Sequence, residues 1–273
     1  SDGTTDSINA RADHFRLDND YIPPPGEALH HYTAGFAKIL CSAVFITGLD
    51  PMDAAANVGG FISPFDQRRH VVNTHIDRVR EEVSLVLSDG TVRTARRYDN
   101  QGCVAHSIGE DSIEFTPSVV EADLPPAHST PWPLGDVLDS GAWPSGVDIE
   151  LAQRALDTGF GSADARTLGL VVTYRGRVLG ERYSDEVDIH TPLESWSMTK
   201  SLTGTLMGVL IQQGEYELWE NAPIPEWQVD PNDPRNEIRI GDIMRMSSGI
   251  MINAPSDPDY DASTYADHFY LYT

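Results

Sequence analysis

The chain has 273 residues, and 19 basic against 42 acidic side chains leave a formal charge of −23 at pH 7. A surface this acidic has no basic patch to offer nucleic-acid phosphate or an anionic membrane, so the reading is no nucleic acid and no membrane. No window reaches the roughly 18 unbroken apolar residues of a spanning helix. The longest apolar stretch, Ile39 to Leu49, is interrupted by Cys41, Ser42, Thr47 and Gly48 and reads as a buried strand or helix segment.

The first twenty residues are polar and suggest a mobile lead or a strap lying on the surface. Pro23, Pro24, Pro25 and Gly26 mark a turn, and helical spacing follows from about Glu27 to Val44. Glu82 to Leu87 alternates like a strand, Asp89-Gly90 is a turn dipeptide, and Thr91 to Ala95 returns as the second arm of a hairpin. Residues 120–147 are rich in Pro, Gly and Asp and read as an irregular connector. The expected division is a small N-terminal α+β extension over 1–145 and a catalytic portion over 146–273.

The second portion reads more sharply. Val147 to Thr158 has helical spacing, with Ile149, Leu151, Ala152 and Leu156 on one face and Gly159 as a stop. Thr167 to Thr173 reads as a buried strand, Arg175-Gly176 as its turn, and Val178 to Tyr183 as its antiparallel partner. After a polar loop comes Glu194-Ser195-Trp196-Ser197. A helix then carries Met198, Leu202, Leu206, Val209 and Leu210 as an apolar stripe and ends at Gly214. Gly204 and Gly208 on that helix would admit a close neighbour.

Two residue types are scarce enough to interrogate singly. Lysine occurs only as Lys38 and Lys200, the other 17 basic residues being arginines. Arginine stays protonated, whereas lysine can lose its proton when desolvated or set beside another cation, so Lys200 attracts a chemical role. Cys41 and Cys103 are too far apart for a CxxC site. Two buried free thiols are the leading expectation, and a structural disulfide in an exported protein is the other.

The chemistry rests on Ser197-Met198-Thr199-Lys200 at a helix start. Residues three apart share a helix face, so the lysine stem can bring its nitrogen back to the serine oxygen. A serine hydroxyl needs a base to take its proton before it attacks, and a neutral lysine can serve. The helix N-terminus adds N–H groups and a positive dipole end, and the Ser197 N–H can help stabilise an oxyanion. Four residues alone would be an ordinary helix cap. The hairpin before the motif, the apolar helix after it, and the string Ile238-Arg239-Ile240-Gly241-Asp242-Ile243-Met244-Arg245-Met246-Ser247-Ser248-Gly249-Ile250 supply context.

With those pieces, the run from about Leu168 to Ile250 resembles the serine hydrolase superfamily of class C β-lactamases, penicillin-binding proteins and 6-aminohexanoate-dimer hydrolases. The resemblance implies a mixed α+β fold, with an antiparallel sheet, flanking helices and a helical subdomain, plus an N-terminal extension. It implies acyl transfer through an acyl-enzyme on Ser197, with Lys200 in the nucleophile-activating network, a small-molecule ester or amide substrate, and no metal or other cofactor. It also implies that Tyr260, Tyr265 and Tyr270 could contact substrate.

A later Tyr-x-Asn motif and a Lys-Thr-Gly or His-x-Gly motif, which the family carries, do not follow Ser197. Tyr98-Asp99-Asn100 lies before the nucleophile and reads as a turn. The expectation is therefore a C-terminal companion polypeptide carrying the missing tyrosine and third motif. The Asp257 to Asp261 loop lacks the spacing of a calcium site and reads as solvated. The leading function is an esterase or short-amide hydrolase. A D,D-peptidase or β-lactamase and a non-catalytic ligand-binding relative are the alternatives. A periplasmic or secreted location is favoured over a cytoplasmic one.

Overall fold

A computed structural model describes residues 10–18, 25–58, 68–119 and 121–250. The architecture is mixed α+β, with a four-stranded antiparallel sheet, a separate two-stranded sheet, and helices.

The four-stranded sheet is a meander in the order β1 (Val71–Asp77), β2 (Glu82–Leu87), β3 (Val92–Arg97) and β4 (Cys103–Ala105). The expected hairpin is β2–β3, with Val83 opposite Ala95 and Leu85 opposite Arg93. At its turn Gly90 takes φ +91°, where a Cβ would be strained, and the Asp89 carboxylate accepts from the Thr91 N–H. Alternation sends Val83, Leu85 and Leu87 to one face, where all three are buried.

Helix α1 (Ala28–Ser42) covers that face. Ala34, Ala37 and Cys41 recur at helical spacing and, with Leu40, join Val83, Leu85 and Ala95 in one core. Each Leu- or Val-sized side chain so buried contributes roughly 1.5–3 kcal/mol. Arg93 is buried in the same layer, donating to the carbonyls of His30 and His106; burial pushes its guanidinium down to about 10. Cys41 on α1 and Cys103 on β4 are joined by a disulfide, so the free-thiol expectation is replaced by its alternative. The helix does not stop near Val44 but continues as a π-helical turn, Ala43–Thr47, because Phe45 and Ile46 still pack against the core; Gly48 at φ +88° ends it. Helix α2 (Pro51–Asn57) follows, capped by Asp50.

Residues 121–147 of the expected connector are irregular apart from a 3₁₀ turn at Ala127–Ser129, but they are tied down. Trp132 Nε1 donates to the Gly176 carbonyl at 2.9 Å, and Arg177 donates to the Ala142 carbonyl at 2.6 Å. Helix α3 (Ile149–Gly159) then packs on the hairpin β5 (Gly169–Tyr174) and β6 (Arg177–Tyr183). Arg175 and Gly176 both have positive φ, the conformation of a two-residue hairpin turn. Gly180 lets Leu156 approach, since a Cβ there would lie 2.4 Å from its Cδ1.

The expectation of a buried β5 is corrected. Leu170 and Val172 turn toward partial cover, while Val171 is 45% exposed. Likewise only Leu156 of the α3 stripe is buried, and Ile149 and Leu151 face solvent. Helix α3 covers one face of a sheet that has just two strands among the described residues.

Residues 10–14 are helical, and of the two readings for the first twenty residues this part takes the strap, residues 1–9, 19 and 20 lying outside the described residues. Phe15 is buried with Ala222, Trp227, Ile238 and Ile240, so the strap is fastened to the chain just before helix α5 (Ile240–Met244).

Candidate active site

Helix α4 (Thr199–Gln213) is entered through a 3₁₀ turn, Trp196–Met198, that holds Ser197 at its centre. Lys200 lies in the first turn of α4, and its Nζ donates to Ser197 Oγ at 3.1 Å. The three-residue spacing thus produces the contact that the sequence implied. Both side chains are exposed.

The approach to Ser197 is bent. Trp196 has φ +45°, in the left-handed region that a bulky residue rarely occupies. Such strain concentrates at functional sites, where the surroundings hold it. Here Thr199 Oγ1 donates to the Trp196 carbonyl at 2.9 Å and sits 2.8 Å from Ser195 Oγ. These hydroxyls fix the turn on both sides of Ser197.

A cavity of about 380 Å³ opens at this turn. Ser195, Trp196, Ser197 and Lys200 form one wall, and Lys38, Ile39 and Ile46 from the N-terminal layer form the opposite one. The two walls are linked, since Thr47 Oγ1 donates to the Pro192 carbonyl at 2.9 Å. Lys38 Nζ lies 4.0 Å from Glu194 Oε1. Burial raises the Glu194 carboxyl above its ordinary range, opposed by the charge of Lys38.

The Ser247-Ser248-Gly249 turn is held by a charge cluster. Asp242 is buried and accepts from Arg239 at 2.8 and 3.0 Å and from Arg245 at 3.1 Å. The Arg239 hydrogen bonds hold the Asp242 carboxyl well below the usual carboxylate range. Arg11 from the strap donates to the Ser248 carbonyl at 3.2 Å.

Tyr98-Asp99-Asn100 stays apart from this site. Tyr98 Oη bonds His106 Nε2 at 2.8 Å, and Asp99–Gln101 is a 3₁₀ turn beside β4. Tyr260, Tyr265, Tyr270 and the Asp257 to Asp261 loop lie outside the described residues. No cluster of three or more His, Cys, Asp or Glu side chains suited to a metal occurs among the described residues. None of their helices is long and apolar enough to cross a membrane.

Ser197 Oγ thus stands within hydrogen-bond reach of Lys200 at the start of a helix and borders a cavity. Residues 152–270 match the family model described as Beta-lactamase. That stretch is a Beta-lactamase family domain. It belongs to the serine hydrolase superfamily and includes Ser197, Lys200 and the Ser247-Ser248-Gly249 turn. No curated protein and no solved structure matches the chain. The Beta-lactamase domain thus begins within α3, after the connector, and the sheet β1–β4 lies outside the match.

Sequence reasoning missed Lys38 and Glu194 as neighbours of the site. Lysine scarcity was the available signal, since it singled out both lysines, but nothing in spacing connects α1 to the loop before Ser197.

Proposed function

We propose that the chain is a serine-dependent hydrolase of a small ester or amide, working through an acyl-enzyme on Ser197. The observation that carries this reading is the 3.1 Å contact between Lys200 Nζ and Ser197 Oγ beside a cavity. With Lys200 in its neutral form, its nitrogen accepts the hydroxyl proton as Oγ attacks the acyl carbon. The tetrahedral intermediate places its oxyanion near the first-turn N–H groups, where the helix dipole favours negative charge. Collapse returns a proton to the departing alkoxide or amine and leaves the acyl group on Oγ. Water then attacks the ester, the acid leaves, and Ser197 regains its proton. Lys200 belongs to this activating network and need not be its sole base.

The second reading is a β-lactamase or D,D-peptidase, with which the family match is equally compatible. A fluorophosphonate probe followed by a fluorescent penicillin separates the two. Labelling of Ser197 by the first alone supports the ester or amide reading, and labelling by both supports the second. Labelling by neither supports a non-catalytic ligand-binding relative.

The reading includes a companion polypeptide, or further segment, that supplies the second and third motifs and covers α4. Support comes from the helix itself, where Leu202, Leu206 and Val209 are exposed and nothing described lies within 4 Å of a Cβ built on Gly208. A uniform stripe of that kind on a helix N-terminally engaged in chemistry is shaped for cover. Mass spectrometry of the natural protein tests it: a single 30.0 kDa species with full activity would remove the companion. The Cys41–Cys103 disulfide supports an oxidising location, periplasmic or secreted.

A further inference from the structure

The chain has two lysines, and both border the same cavity. Lys200 belongs to the nucleophile, while Lys38 reaches the cavity from α1, outside the Beta-lactamase match. Its one ion-pair partner among the described residues, Glu194, is 4.0 Å away, beyond hydrogen-bond distance. Glu194 Oε2 is buried without a hydrogen-bond partner, so neither oxygen of that carboxylate is hydrogen-bonded to Lys38. The Lys38 ammonium therefore keeps donors that no described side chain uses. Ile39, Ile46, Leu193 and Trp196 give the cavity an apolar part, beside the polar Ser42, Thr47 and Glu194.

An ammonium set against an apolar wall, with an exposed serine oxygen on the same cavity, fits one kind of acyl group. Its short hydrocarbon stem would lie on the isoleucines, and its far end would carry a carboxylate to pair with Lys38. The overall charge of −23 sharpens the point. A surface of that sign repels an anionic substrate, so preference for one requires a local cation inside the cavity.

We propose that Lys38 is a specificity-determining residue of the Ser197 site, selecting acyl groups that end in a carboxylate. This rests on the acyl-hydrolase reading. The N-terminal layer then supplies the recognition charge, and the Beta-lactamase domain supplies the nucleophile.

The test compares acylation by the mono-p-nitrophenyl ester of glutarate with that by p-nitrophenyl valerate, a neutral ester of the same chain length. Release of nitrophenolate and intact-protein mass report the rate. Wild type should favour the glutaryl ester, and Lys38→Ala should lower the glutaryl-to-valeryl rate ratio about tenfold, the scale of one charge-assisted hydrogen bond. Lys38→Arg should restore most of the ratio. A ratio that Lys38→Ala leaves unmoved would overturn the proposal. If neither ester acylates wild-type Ser197, it is the hydrolase reading that fails, and binding decides the role of Lys38 separately. Selective ¹³C-lysine labelling gives two ε-carbon signals, one per lysine. Glutarate should shift the signal that Lys38→Ala removes, saturably, and valeramide should not. Absence of that shift would overturn Lys38 as a carboxylate site.

Discussion

In the N-terminal layer Val83, Leu85 and Ala95 are fully buried beneath α1, whereas on α4 Leu202 and Leu206 are 58% and 56% exposed. Both regions have apolar residues at the period of their own secondary structure. The first finds its cover within residues 28–105 and adds a covalent tie, Cys41–Cys103. The second carries Ser197, and among the described residues nothing buries its Leu202, Leu206 and Val209. The difference teaches that the disulfide-tied layer lends a wall to a cavity whose other wall opens a helix left exposed among the described residues.

The largest expected effect lies on the chemical side of that division. Ser197→Ala should abolish covalent labelling by a fluorophosphonate, read as loss of the mass adduct. Lys200→Ala should slow acylation by roughly 10²–10⁴-fold, the range of a lost general acid–base group. Because both residues are exposed, neither change should move the unfolding midpoint. A Lys200→Ala protein that acylates at the wild-type rate would make Lys200 structural.

The next effect lies on the structural side. The disulfide spans a separation of 62 residues. Chain-entropy arguments assign such a closure roughly 4 kcal/mol. Replacing both Cys41 and Cys103 with alanine should therefore lower the denaturant midpoint of the N-terminal layer, followed by hydrogen exchange at β2 and β3. Exchange in α4 should be unaffected, and equal loss in both regions would join what the comparison separates.

A matched pair of leucines tests the division directly. Leu85→Ala removes a side chain with no exposure and should cost about 2–5 kcal/mol. Leu206→Ala on α4 should stay within about 0.5 kcal/mol. Similar costs for the two would mean that α4 is covered in solution.

Much of this was legible in the sequence because it depends on short-range pattern. The β2–β3 hairpin followed from alternation and Asp89-Gly90, and the Ser197–Lys200 contact followed from three-residue spacing on a helix. What could not be read depends on which surfaces meet. The apolar run Thr167 to Thr173 looked buried, yet α3 covers only one face of β5, so Val171 is left exposed. Cys41 and Cys103 gave no spacing signal, and only the packing of α1 across β4 brings them together. Lys38 was conspicuous by rarity, but its place beside Ser197 depends on α1 meeting the loop at Pro192. The tyrosines Tyr260, Tyr265 and Tyr270 fall outside the described residues.

The smallest expected effect is a pH dependence confined to the N-terminal layer. Asp89, at the β2–β3 turn, bonds His30 Nε2 on α1 at 2.9 Å, and that bond with the Thr91 N–H pulls its carboxyl from 3.8 down to about 2. A carboxyl whose pKa is depressed on folding adds stability that is complete above the unfolded value and fades as pH falls through the folded one. The contribution should thus be present above about pH 4 and disappear toward pH 2, loosening α1 from the turn. Because Asp89 is largely in water, the loss should be slight and weakened further by salt. Asp89→Asn should flatten that part of the pH profile when β2–β3 amide exchange is followed between pH 5 and pH 2. An unchanged profile in the variant would assign the acid sensitivity of this layer to other carboxylates, among them Glu82 of the same sheet, paired with Arg96 at 2.6 Å.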